Sequence, residues 1–98
     1  MARGYPERTA DVGKLTDLGR RELTVAAVQV SAASRPIVSV TIQNTEVQGN
    51  NVLVGDHIQQ SLIVAGGASY TVRAADANQV YIRADAGAVV AAIHILEP

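Results

Sequence analysis

The chain has 98 residues, eight basic and nine acidic side chains, a formal charge of −1, and no Cys, Trp or Phe. That length fits one domain, without room for a catalytic and a regulatory unit side by side. The missing cysteines exclude a disulfide framework and a thiolate metal site, and the near-neutral balance argues against nucleic acid as a partner. No stretch reaches the roughly 18 apolar residues of a membrane span, and MARGYPERTA lacks the apolar region of a signal peptide. The expectation is a chain made in a cytoplasm with neither membrane nor nucleic acid as partner.

Nine of the charged residues fall within residues 1–22, and the eight that follow include no lysine. Residues 1–21 therefore read as an extended N-terminal arm and residues 22–98 as the folded domain. Leu15 and Leu18 stand at helical spacing, so a short helix over residues 14–21 is the alternative, weakened by Gly19. Stretched out, 21 residues span roughly 70 Å, enough to cross several neighbours. In that role Tyr5, Val12, Leu15 and Leu18 are the apolar anchors, and Arg3, Arg8, Arg20 and Arg21 pair with carboxylates of the partner.

From Leu23 onward the hydrophobic period is two. Leu23 and Val25 alternate with Thr24, and the phase then shifts to Val28 and Val30, which predicts a bulge at Ala26–Ala27. Val38, Val40 and Ile42 share one face of a half-buried strand, with Ser39, Thr41 and Gln43 on the other and Pro36 at its start or on an edge. Shorter apolar runs follow at 51–55 and 58–64, and clean alternation returns at 70–74 and 80–84. Between them, Gln48-Gly49-Asn50-Asn51, Gly55-Asp56, Gly66-Gly67, Asp76-Ala77-Asn78 and Asp85-Ala86-Gly87 supply turn chemistry. About seven short strands at ten-residue intervals predict an all-β fold: a single small β-sandwich, jelly-roll-like or immunoglobulin-like.

The last run breaks the pattern. Val89, Ala91, Ile93 and Ile95 line one face, but Val90, Ala92 and Leu96 are apolar on the other, interrupted only by His94. A strand apolar on both faces is usually covered on both, so Val90, Ala92, His94 and Leu96 are the expected subunit interface, with the chain's own arm as the other candidate cover.

Chemistry is hard to find. His57 and His94 sit 37 residues apart, and no H-x-H or H-E-x-x-H spacing occurs. Asp76-Ala77-Asn78 opens like a calcium loop, but Tyr81 and Gly87 stand where that loop needs its glycine and glutamate. Gly66-Gly67 lacks the Lys-Ser/Thr of a phosphate loop, and Glu7, Asp11, Asp17 and Glu22 interleave with the four N-terminal arginines and cancel their field. No catalytic residue, cofactor or metal is expected.

The body does carry a familiar order of strands and turns: Val38-Ser39-Val40-Thr41-Ile42-Gln43-Asn44, then Asn51-Val52-Leu53-Val54-Gly55. Ala65-Gly66-Gly67-Ala68-Ser69 follows, and then Val80-Tyr81-Ile82-Arg83-Ala84-Asp85-Ala86-Gly87. Over about residues 37–96 this resembles the small β-sandwich structural proteins of tailed-bacteriophage virions. The resemblance implies a non-enzymatic virion component, foremost a capsid decoration or cement protein that binds the major capsid protein or another virion protein. It also implies a homo-oligomer, trimer or dimer, on the particle. A tail- or fibre-associated module or a host-receptor (glycan) binding module is the alternative. The arm has no counterpart in the resemblance.

Overall fold

The alternating segments become strands because each sends every second side chain to a dry interior and the rest to water. The computed structural model describes residues 13–46 and 49–98. Its strands are β1 (Lys14–Thr24), β2 (Val28–Gln29), β3 (Ser39–Asn44), β4 (Val52–Gly55), β5 (Gln60–Val64), β6 (Ser69–Arg73), β7 (Tyr81–Ala84) and β8 (Ala88–Glu97). They pair antiparallel in two four-stranded sheets, a first ordered β1-β8-β3-β6 and a second ordered β2-β7-β4-β5. Chain neighbours mostly sit in opposite sheets, which is the jelly-roll form of the sandwich and settles the choice left open by the sequence. The strand beyond the expected seven is β2, only two residues long.

The core lies between the sheets. Val40 and Ile42 of β3 and Val89, Ala91, Ile93 and Ile95 of β8 face Val52 and Val54 of β4 and Ile82 and Ala84 of β7, all of them buried. Leu23, Val30, Ile37, Val64, Ala77 and Val80 close the ends. Branched aliphatics fill the narrow gap between two pleated surfaces without any aromatic ring, in line with the expected alternation. Val38, expected on the same inner face as Val40, instead precedes β3 and is 40% exposed. Pro36 forms an isolated bridge with Asp76 ahead of the strand.

Two expectations need correction. Residues 14–21, read as part of an arm or a short helix, are the first eight of the eleven residues of β1, in register with β8 from Lys14↔Glu97 to Thr24↔Ala88. The sheet therefore begins seven residues before residue 21, and only residues 1–12 of the expected arm lie outside the described residues. The bulge also lies elsewhere than expected. The phase change near Ala26–Ala27 is the crossover from the first sheet to β2 of the second, whereas the irregularity in β1 falls between Asp17 and Gly19. There the Gly19 N–H donates to Asp17 Oδ1 at 2.7 Å.

β8 explains its own double apolarity. It is a central strand, so neighbours on both sides shade its outer face: Leu15, Asp17, Arg20 and Glu22 from β1, and Ser39, Thr41 and Gln43 from β3. Ala92, between Arg20 and Gln43 in the register, is 9% exposed within the single chain. Small apolar residues there pack under long polar neighbours.

Candidate functional site

The eight expected arm contacts divide three ways. Arg3, Tyr5, Arg8 and Val12 lie outside the described residues. Leu18 packs against the core, and Arg21 turns inward at the sheet edge, where its guanidinium donates to the carbonyls of Gln29 (2.8 Å) and Val30 (3.0 Å). Those two bonds tie β1 of the first sheet to β2 of the second, so Arg21 is engaged inside the fold. Leu15, 70% exposed, and Arg20 remain on the surface. Leu15 lies opposite Leu96, and Arg20 opposite Ala92. The expected interface residues Val90, Ala92, His94 and Leu96 do share the outer face of β8, with Val90, His94 and Leu96 half-buried. His94 Nε2 lies 3.5 Å from Asp17 Oδ1 across that face.

Chemistry-bearing groups do not converge. Among the described residues no three His, Cys, Asp or Glu side chains gather as a metal site would need. An open depression of about 440 Å³ is lined by Arg21, Ala27, Val28, Gln29, Ala32 and Tyr81. It contains no carboxylate or nucleophile, and its one cation is spent on backbone carbonyls. His57 sits beside the Tyr81 ring, centroids 6.3 Å apart, in the turn after Asp56.

Three carboxylates act as ties. Asp56 Oδ1 accepts the N–H groups of Gln59 (2.8 Å) and Ile58 (2.9 Å), and those backbone donors hold its carboxyl below its ordinary value. Asp76 accepts the N–H groups of Arg35 (2.8 Å) and Asn78 (2.9 Å) and the Ser34 hydroxyl, which lowers it in the same way. It caps the 3-10 turn Ala77–Gln79, so the sequence Asp76-Ala77-Asn78 is a turn motif. Glu97 is lowered by the Arg35 guanidinium (3.1 Å) and then by the Thr16 hydroxyl (2.7 Å), which joins β8, β1 and the β2–β3 connection. When the folded state lowers a carboxyl pKa, the unfolded chain takes the proton first. The stability from these ties is therefore present above the ordinary values of 3.8 and 4.5 and drains away as pH falls through the lowered ones. Thermal melting should be flat from neutral pH down to about 5 and then fall. Asp76→Asn should melt below the parent at pH 7, and the two curves should converge as pH falls through the lowered Asp76 pKa; parallel curves at all pH values would deny Asp76 this role.

The distribution of charge between the sheets is the strongest feature of the surface. Lys14, Asp17, Arg20, Arg21, Glu22, Arg73 and Glu97 all belong to strands of the first sheet, and Arg83 alone to strands of the second. The four sheet edges differ accordingly. β1 is guarded by its charges and its bulge, and β2 is too short to template another strand. On the opposite flank, β6 carries only Arg73, at its end, and β5 has no charged residue at all. Ile63 of β5 is 65% exposed, Leu62 39% and Tyr70 of β6 44%; Ile58, in the turn before β5, reaches 78%. This flank was missed at the level of sequence, where residues 58–64 read only as a short apolar run. The signal was there: from His57 to Val72 sixteen residues pass without Asp, Glu, Lys or Arg.

Set against known proteins, no family model matches the chain and no curated protein matches it. The resemblance to virion proteins thus rests on the strand-and-turn order alone. One solved structure similar to this chain comes from work on Bacillus endospore appendages, described as a novel family of disulfide-linked pili. The two share 19% identity over 89% of this chain and 88% of that chain, with a TM-score of 0.49.

Proposed function

We propose that the chain is a non-enzymatic structural subunit that acts by being bound into an assembly, and that the assembly is a virion whose outer capsid surface it decorates. The observation that carries the assembly reading is the lopsided surface: one flank guarded by charge, the other with Arg73 as its one strand charge and with Leu62, Ile63 and Tyr70 exposed. Scattered exposed hydrophobics are ordinary, but several exposed apolar side chains along two adjacent free edges with one terminal charge between them fit a surface that is covered in use. The virion itself is supported by the order of strands and turns between residues 37 and 96. The jelly roll does not choose between capsid and receptor-binding roles, since both kinds of domain are built on it. In this reading the partner is the major capsid protein or another virion protein, Arg3, Tyr5, Arg8 and Val12 reach a neighbouring subunit, and the sandwich is the stiff body they hold.

The place where β1 starts decides how the reading is tested. Removing residues 1–20 would strip most of β1 from β8, whereas a chain beginning at Gly13 keeps the whole sheet. That shorter chain should melt at the parent temperature and yet lose occupancy on purified particles, scored by mass spectrometry and immunogold labelling of heads. Undiminished occupancy would remove the N-terminal contact. Absence of the full chain from purified particles would overturn the virion reading, and label confined to tails would replace decoration of the capsid by a tail role.

A further inference from the structure

We propose that β5 is a self-pairing edge: two copies of the chain join antiparallel along Leu62–Val64 about a two-fold axis at Ile63, making one continuous sheet of eight strands. The proposal deepens the assembly reading by naming a second copy as one partner.

A two-fold axis sets the residue on it against its own copy and brings any charge beside it within a few residues of its like. β1 fails that condition with Asp17, Arg20, Arg21 and Glu22, and β2 is two residues long. β5 meets it, because neither the strand nor the segment from His57 to Val72 holds a charge. A partner of another kind would tolerate or exploit charge on the edge, whereas self-pairing requires its absence.

The register selects the axis. β5 pairs with β4 as Val52↔Val64, Leu53↔Ile63 and Val54↔Leu62, and then Gly55 meets Gln60, which leaves Ser61 as the extra residue of a bulge. The regular free edge is therefore Leu62–Val64. In an antiparallel pair, facing residues lie on the same side of the sheet, so the inward Leu62 and Val64 must oppose each other and Ile63 must oppose itself. That pairing covers the exposed half of Leu62 with Val64 of the second copy. On the outer face it extends the cross-strand row Arg83–Leu53–Ile63 into a stripe of four apolar side chains, Leu53–Ile63–Ile63–Leu53, with Arg83 at each end. Ile63 is 65% exposed in the single chain and sits at the centre of the stripe. Arg73, the one charge on the adjacent edge β6, stands at the end of its strand, and the two-fold carries its copy to the far end.

Three facing residues make a small contact, so the dimer belongs at the weak end, with a dissociation constant on the order of 10 µM. Sedimentation of the full chain from micromolar to about 100 µM should show the 10.2 kDa species giving way to its dimer. Ile63→Lys, which sets two ammonium groups against each other at the axis, should raise the dissociation constant at least about tenfold and leave the melting temperature unchanged. Because the sequence has no native cysteine, Ile63→Cys should cross-link copies under mild oxidation, and Ser61→Cys, off the axis, should not. A chain monomeric at 100 µM overturns the proposal, as does a dimer indifferent to Ile63→Lys or one that cross-links through Ser61→Cys and not Ile63→Cys. Protection, in a monomer, of those 62–64 amides that the β4 ladder leaves pointing to the free edge also overturns it, since another segment then covers that edge. A monomer that still occupies particles would remove the β5 contact and leave the assembly reading standing.

Discussion

Replacing Asn44 by leucine should cost about 2–5 kcal/mol, one of the largest losses expected of any single side chain here. Asn44 closes β3 and is the only polar residue buried to 0% exposure among the described residues. Its Nδ2 donates to the carbonyls of Asn50 (2.9 Å) and Val64 (3.1 Å), and its Oδ1 accepts the Glu46 N–H (3.1 Å). One amide thus joins the end of β3 in the first sheet to the end of β5 in the second and to the connection before β4. Leucine matches the volume but satisfies none of the three groups, and the Val64 carbonyl has no water to turn to. Aspartate is the sharper test. It keeps the acceptor for Glu46 but sets its other carboxylate oxygen, in place of Nδ2, against two carbonyls, so Asn44→Asp should be destabilised as much or more and should recover part of the loss on acidification. Urea unfolding of both variants at pH 7 and of the aspartate variant at about pH 4.5 measures this. A leucine variant within about 0.5 kcal/mol of the parent would show that Asn44 is not the tie its geometry describes.

The terminal asparagine of β3 was legible in sequence as the end of an alternating run, but its function as a tie was not, because it depends on which strand ends come together across the sandwich. The same division holds elsewhere. β3, β6, β7 and β8 declare themselves by period two, and even the inner face of β8 reads directly as Val89, Ala91, Ile93 and Ile95. β1 hides for two physical reasons. Its bulge inserts Leu18 between Asp17 and Gly19, so Thr16 faces inward before it, Leu18 at it, and Arg21 and Leu23 after it, and no single period spans the strand. Its outer positions carry Asp17, Arg20 and Glu22, the charges an edge strand uses against misplaced pairing, and those same charges make the segment look like a solvated arm. The apolar outer face of β8 points to a cover outside the strand when read alone; the covering residues are cross-strand neighbours, which only topology supplies. Edge status is likewise a property of the sheet order. The sixteen uncharged residues around β5 and β6 take on meaning once both strands are known to lie at free edges.

Gly55→Ala should destabilise the chain by about 3 kcal/mol, well beyond a typical glycine-to-alanine change. The bulge at Ser61 folds the start of β5 back over the end of β4. A β-carbon on Gly55 would fall on the Gln59 carbonyl oxygen and lie 2.6 Å from the Gln60 Cα and 2.9 Å from the Gln59 carbonyl carbon. All three are backbone atoms, so no side-chain rotation relieves the clash and the turn itself must move. Moving it breaks the Asp56 N–H to Gln59 carbonyl bond (3.1 Å) and pulls the Gln59 and Ile58 amides from the Asp56 carboxylate. Gly67, in the turn between β5 and β6, provides the contrast. It has φ of +79° but nothing within 4 Å of an added β-carbon, so Gly67→Ala should cost only the left-handed strain, about 1 kcal/mol. The order of the two losses separates crowding from backbone conformation. If the turn is displaced in Gly55→Ala, amide exchange should quicken at 58–62 ahead of the rest of the sheet, and the acid sensitivity contributed by Asp56 should vanish, because its pKa is lowered only while the turn holds. Equal losses for the two variants, or a Gly55→Ala chain that keeps slow exchange through residues 58–62, would mean the backbone yields at Gly55 more easily than its packing allows.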